Sequence, residues 1–334
     1  MHAVETDADR AARQDIAEQA AAEKAIGGTI FTRAFQFFLV PLLIVGACVG
    51  VYALFTVTLT DQRTPADWVR ELKESGPVAR KHAAAQLAAE LRRQVREKKV
   101  DATLVGPILS VFESLKAKDG DTRQTRALLA RCLGLLGDTR ATPAILEVLR
   151  EEDVPEMKAA CIDALGALRD PEAAPDLIKL LDHSSSIVRK YATFTLGSLA
   201  APMKAGEPPS LPAALEPLKT RLRDARPEVQ WNAAFVLAFY LRDASGAPVL
   251  RRMLDRKHVT EVVTSSYKEP GGVGDETAAN APAIIAHVMQ MGCQGVAALG
   301  DRSFEEVLRG LAKDDPDMGV RDAAMKTVRL LEKK

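Results

Sequence analysis

Aromatic side chains are scarce in this 334-residue chain, at 5%, although apolar residues as a whole reach 47%. The apolar mass is therefore mostly Ala, Leu and Val, which suits close-packed helices better than strands, where aromatic and β-branched side chains prevail. Net charge is missing too. Forty-five basic residues balance 45 acidic ones, so no overall field selects nucleic acid, and no nucleic-acid partner is expected. The only cysteines, Cys48, Cys132, Cys161 and Cys293, form no CxxC pair. That spacing argues against a zinc site or a disulfide framework and for free thiols in a reducing compartment. None of the five histidines, His2, His82, His183, His258 and His287, precedes a Glu or belongs to an HxxxH pair, so no metal ligation is expected. The GGVG at 271–274 lacks the GK[ST] ending that would place a Lys and a hydroxyl on phosphate and magnesium. These patterns supply no catalytic residue and no cofactor, and the expectation is a protein that is not an enzyme.

What is present first is a long uncharged run. Residues 34–60, AFQFFLVPLLIVGACVGVYALFTVTLT, carry no charge between Arg33 and Asp61. As a helix rising ~1.5 Å per residue, such a run exceeds the ~30 Å of bilayer hydrocarbon. It predicts one membrane-spanning helix, with Gly46 and Gly50 in a GxxxG spacing that supports helix pairing. A cleaved signal peptide fits less well, because the leader of 33 residues is long and no A-x-A site comes after the run. Lys24 and Arg33 precede the span, whereas Arg63, Arg70, Lys73 and Arg80 come after it. The positive-inside bias thus favours a cytoplasmic C-terminal part, although anchors near an N-terminus often export the C-terminal domain. The tail, residues 1–33, contains QDIAEQAAAEKA, a short helical pattern.

After the span a pattern repeats. In DPEAAPDLIKLLDHSSSIVRKYATFTLGSLA, residues 170–200, Pro175 opens a helix with Leu177, Ile178, Leu180 and Leu181 on its apolar stripe. HSSS interrupts it, with a serine placed to cap a second helix carrying Val188, Ala192, Leu196 and Leu199. Prolines recur at Pro107, Pro143, Pro175, Pro217 and Pro248, and a Leu-small pair recurs at Gly134, Gly166, Gly197 and Ala238. Glycine inside a helix costs ~1 kcal/mol relative to Ala, so a glycine at one phase predicts close helix–helix approach. Looser copies at 76–91 and 320–334 bring the count to about seven hairpins over 61–334. The fold class expected is all-α, an α-solenoid in which each hairpin buries its apolar face on its neighbours.

The stretch APDLIKLLDHSSSIVRKYATFTLGSLA and its copies resemble HEAT repeats, closest to the PBS-lyase HEAT-like kind. The resemblance implies a recurring cation paired with an Asp of a neighbouring turn. Arg189 with Asp182, Arg321 with Asp314 and Lys158 with Asp153 are the matching residues, and Gln230 departs from the pattern. Two activities are attached to similar proteins. Iron-binding hydroxylases use His-Glu dipeptides, which this chain lacks, and bilin attachment has no marked site here.

The remaining candidates are contacts. Trp231, Phe235 and Phe239 lie at i, i+4 and i+8, a spacing that reads as core rather than a base-stacking platform. In LRRQVREKK, the cations Arg92, Arg93, Arg96, Lys98 and Lys99 either solvate a helix end or meet anionic lipid headgroups. Residues 257–280 read as an insertion, a loop in which Tyr267 and Lys268 are candidate partner contacts. The function expected is a membrane-anchored scaffold for protein partners, a subunit or assembly factor of a membrane complex. The alternative is a ligand-binding or catalytic solenoid that uses the 257–280 insertion.

Overall fold

The computed structural model describes residues 15–19, 39, 41–52, 63–116, 119–202, 207–208, 210–266 and 275–333. Every regular element among them is helical, and the chain divides into two compact units, Met1–Arg63 and Thr64–Lys334. The first holds a helical turn at 15–19 and an apolar helix, α1 (Pro41–Tyr52). Leu42, Leu43, Ile44, Val45, Val49 and Val51 of α1 are all more than half exposed. A Cβ added at Gly46 or Gly50 would meet nothing within 4 Å. The expected span thus coincides with α1 over part of its length, and the rest of 34–60 except Leu39 lies outside the described residues. By length and composition, the one candidate span among them is Asn280–Leu299, and 50% of it is buried. That is a core helix of the second unit.

The second unit is a row of helical hairpins. The pairs are α2 (Pro65–Glu74) with α3 (Pro77–Glu97), α4 (Val105–Ser114) with α5 (Gly120–Leu136), and α6 (Thr142–Glu151) with α7 (Pro155–Leu168). Next come α8 (Ala174–Leu180) with α9 (Ser186–Leu199), and α10 (Leu215–Thr220) with α11 (Pro227–Phe239). The sixth unit has three helices, α12 (Ala247–Met253), α13 (Arg256–Ser266) and α14 (Asp275–Leu299), and the seventh is α15 (Glu305–Asp314) with α16 (Met318–Glu332). The recurring prolines sit in the first turns of α4, α6, α8, α10 and α12, where a missing N–H costs nothing. Before these helices the chain makes a 3-10 turn. Asp101, Asp138, Asp170, Asp243 and Asp301 cap such turns by accepting the N–H two residues on, at 2.8–3.1 Å. Replacing Asp301 with Ala is expected to cost about 1 kcal/mol, read as a lowered midpoint in denaturant with an unchanged slope.

Consecutive second helices pack on one another along the whole array, whereas first helices touch chiefly their own partners. The second-helix layer is therefore the tighter, inner one. The recurring glycines sit at its contacts: a Cβ at Gly134 would come within 3.0 Å of the Ala164 backbone, one at Gly166 within 3.1 Å of Thr195, and one at Gly197 within 2.4 Å of Val236. Close approach is thus the reason for those glycines. The core runs from Trp68 to Leu241 as one cluster and from Trp231 to Leu331 as a second. They meet at α11, which gives Phe235, Val236 and Leu237 to the first and Trp231, Ala234 and Ala238 to the second.

Three expectations need correction. First, the recurring cations do not pair with Asp182, Asp314 and Asp153. They cap the last carbonyls of their own first helix or its turn, where the helix dipole is negative. Lys158 donates to Leu149 O at 2.7 Å, Arg80 to Leu72 O at 2.9 Å, and Arg321 to Asp315 O at 2.5 Å. Gln230 keeps that role without charge, donating to Asp224 O at 2.6 Å. A ladder exists, but its rungs reach forward to the next hairpin: Lys81–Asp121 at 2.6 Å, Arg123–Glu152 at 3.3 Å, Arg189–Asp224 at 2.8 Å and Arg256–Asp315 at 2.6 Å. Asp182 pairs instead with Arg221 at 2.9 Å.

Second, Ser185 is the N-cap of α9 but makes no side-chain cap bond; its own N–H is taken by His183 Nδ1 at 3.0 Å. Third, residues 257–266 are not loop but most of α13. Asp255 accepts the N–H groups of Lys257 and His258, and Val259 and Val263, four apart, are buried. Burial of that stripe overrides the low helix propensity of VTEVVTSS. Tyr267 and Lys268 lie outside the described residues.

Candidate functional site

On the inner layer, α9 carries apolar residues on two faces. Val188, Ala192 and Leu196 are fully buried, while Ile187, Tyr191 and Phe194, spaced i, i+4 and i+7, remain 39%, 36% and 39% exposed. Together they form an exposed apolar stripe along α9. It continues onto α11. Trp231 and Phe235 are buried, as the sequence spacing suggests, but Phe239 emerges at 37% exposure. Phe235 and Phe239 stack with centroids 5.0 Å apart, Phe194 lies parallel to Phe235 at 6.4 Å, and Tyr240 meets Phe239 edge-on at 5.1 Å.

These rings form one wall of a cleft of about 580 Å³ whose other wall is α14, with Ile284, His287, Val288, Met291 and Gln294. Few charges line it. Glu228 is satisfied by Arg226 at 3.2 Å. Lys190 makes no ion pair among the described residues, and its ammonium sits 5.3 Å from the Tyr191 ring centroid. Asn232 fixes the adjoining helices by donating to Lys190 O at 3.2 Å. The cleft can hold apolar side chains and offers one cation at its rim.

Other features lend themselves less to recognition. A second cleft, of about 560 Å³, is lined by Lys81, Arg123 and Arg131, but Lys81 and Arg123 are already rungs of the ladder. Among the described residues there is no group of three His, Cys, Asp or Glu placed to hold a metal. Burial pushes the thiols of Cys132, Cys161 and Cys293 up to about 12, so they stay protonated. Of the predicted lipid contacts, Arg93 is held between Glu90 at 2.6 Å and Glu97 at 2.9 Å. The hydrogen bond with Glu90 is the main reason its pKa is raised. Lys99 is 4.0 Å from Glu97, while Arg92, Arg96 and Lys98 are exposed and form no ion pair among the described residues. Tyr191 and Phe194 were not singled out by the repeat pattern, although their spacing with Ile187 was the available signal. The α14 wall had none.

Residues 112–197 match the family of HEAT repeats. No curated protein matches the chain. Among solved structures it is similar to the complex of CpcE and CpcF of phycocyanin lyase from Nostoc sp. PCC7120, at 18% identity over 82% of this chain and 96% of that one, with a TM-score of 0.50. It is also similar to human deoxyhypusine hydroxylase in complex with glycerol, at 18% identity, 81% and 96% coverage and a TM-score of 0.34. A third likeness is to the Escherichia coli protein YibA, at 16% identity, 85% and 97% coverage and a TM-score of 0.42. At identities this low the likenesses concern the fold. Residues 112–197 thus carry HEAT repeats, and the first of these likenesses supports an α-solenoid of helical hairpins as the fold.

Proposed function

We propose that this protein is a membrane-tethered scaffold that binds a protein partner on the inner layer of its solenoid, without catalysis of its own. The observation that carries the reading is the stripe of Ile187, Tyr191 and Phe194, continued by Phe239, each more than a third exposed on helices that also carry a fully buried face. Covering the exposed part of one such aromatic side chain is worth roughly 2 kcal/mol at ~25 cal/mol per Å². Several covered together offset the entropy cost of association. The uncharged run at 34–60 and the exposed apolar side chains of α1 support a bilayer tether. A tether raises the solenoid's effective concentration for membrane partners. Arg92, Arg96 and Lys98 are available to anionic headgroups if the solenoid faces the cytoplasmic leaflet, the side that the positive-inside bias favours.

Two experiments on the full chain test this. Alkaline carbonate washing of native membranes is expected to leave the protein in the pellet; its release would sink the tether. Affinity purification in mild detergent is expected to bring down a stoichiometric membrane protein. Tyr191→Ser/Phe194→Ser should lose that partner while still melting cooperatively, at a somewhat lower temperature because Phe194 also packs on Phe235. Retention of the partner by that variant would place the contact elsewhere, and substrate turnover by the purified protein alone would end the scaffold reading.

A further inference from the structure

The cleft between α9, α11 and α14 has more character than an apolar patch, and its charge and spacing limit what it takes. From α9 it is lined by Lys190 and Phe194, and the exposed stripe that leads into it, Ile187 to Phe194, spans two helical turns, roughly 10 Å along the axis. The i, i+4, i+7 spacing is that of a ridge on another helix, and ridges of one helix seat in the grooves of the next. The groove here lies between the α9 ridge and α14, floored by Phe235 and Trp231. Its Asp, Glu, Lys and Arg lining residues are Glu228 and Lys190 alone. Glu228 is matched by Arg226 at 3.2 Å, whereas Lys190 makes no ion pair among the described residues and its ammonium lies 5.3 Å from the Tyr191 ring centroid. The uncompensated charge of the cleft is positive.

We infer that this cleft docks an amphipathic helix of the partner, presenting large apolar residues over two turns and an acidic residue that meets Lys190. The assignment rests on the scaffold reading and adds to it the chemistry of the partner segment. Helix-in-groove recognition reads apolar anchors at i, i+3 or i+4, and i+7, with flanking charge selecting among sequences.

Trp231 supplies the reporter. The chain has two tryptophans, and Trp68→Phe leaves Trp231, in the wall of the cleft, as the sole one. The full chain carrying Trp68→Phe, reconstituted in phosphatidylcholine nanodiscs, is titrated with two synthetic amphipathic peptides. They share leucines at i, i+4 and i+7 and differ in carrying glutamates or lysines beside them; empty nanodiscs correct for peptide bound to lipid. The expected result is a saturable change in Trp231 emission, with the glutamate peptide binding about fivefold more tightly than its lysine twin, as for one partly exposed ion pair. Lys190→Glu is expected to reverse that preference, and Phe194→Ser to abolish both titrations.

Equal binding of the twins, or an unchanged preference in Lys190→Glu, would overturn the acidic-helix assignment. The scaffold reading would survive as long as Tyr191→Ser/Phe194→Ser still lost the native partner. Silence of Trp231 toward both peptides, or saturation by lysophosphatidylcholine that displaces them, would overturn it as well, the second result making the cleft a lipid site. Lys190→Arg, which keeps the charge, should retain the wild-type preference; its loss would show that Lys190 acts through packing and would also overturn the assignment.

Discussion

Replacing Asp224 with Ala is expected to lower the unfolding free energy by about 3 kcal/mol, the low end for breaking a buried pair. Asp224 holds the turn between α10 and α11, its side chain only 3% exposed. It accepts from Arg189 Nε at 2.8 Å and Nη2 at 2.9 Å and from the Arg226 N–H at 3.0 Å. Its removal leaves the Arg189 guanidinium, 12% exposed, without its ion-pair partner. It also cuts the forward rung between the fourth and fifth hairpins. Arg189 keeps the His183 and Ser184 carbonyls, each at 2.8 Å, which is why the lower end is expected. Equilibrium denaturation of the full chain checks the magnitude; a loss under about 1 kcal/mol would mean that solvent already screens the pair.

The same group sets a pH dependence. Burial pushes the Asp224 carboxyl up, but the hydrogen bonds from Arg189 and the Arg226 N–H, with the charges of Arg189 and Arg221, more than reverse that and hold it below its ordinary value. A depressed folded pKa means the stability is fully present above the unfolded value, ~3.9. It is lost as pH falls through the folded one. Wild type should therefore lose stability faster than Asp224→Asn below about pH 4. Parallel curves there would contradict the assignment.

The second large effect is expected at Gly197, where Ala should cost about 2 kcal/mol. Helix propensity alone would make this substitution favourable by ~1 kcal/mol. Packing reverses the sign, because the new methyl would lie 2.4 Å from Val236 Cβ and 2.7 and 2.9 Å from its two methyls. Val236 is fully buried in α11, so α9 and α11 must part, and overpacking of this kind costs ~1–3 kcal/mol or more. Gly310→Ala is the control. That glycine is exposed in α15 with nothing within 4 Å of an added Cβ, and Ala there should stabilise by up to ~1 kcal/mol. Opposite signs for two glycine-to-alanine changes would separate close approach from propensity. A neutral Gly197→Ala would show that the inner layer gives way freely.

Much of this architecture was legible residue by residue. Pro143, Pro175 and Pro248 mark helix starts because proline is best tolerated in a first turn. Leu177, Leu181, Val188 and Leu196 keep the 3.6-residue period of a buried face and are buried. Gly134, Gly166 and Gly197 announce close approach because a mid-helix glycine has no other benefit. Of the aspartates that cap the 3-10 turns, Asp138, Asp170 and Asp243 stand five residues before a proline, a regularity the sequence also carries. α13 was not, since VTEVVTSS has Glu261 as its one strong helix former and becomes helical by burying Val259 and Val263 in the second core cluster.

The sequence by itself determined that this chain is a row of helical hairpins, which faces of each helix are apolar, and where neighbours come closest. These are local properties, written in spacings of three to thirty-odd residues. Tertiary structure alone decided that Arg189 reaches forward to Asp224 rather than back to Asp182, and that Phe194, Phe239 and His287 line one cleft. Both depend on the register and rotation of each helix against the next. That register is set jointly by all the buried side chains at the contact and leaves no periodic trace along the chain.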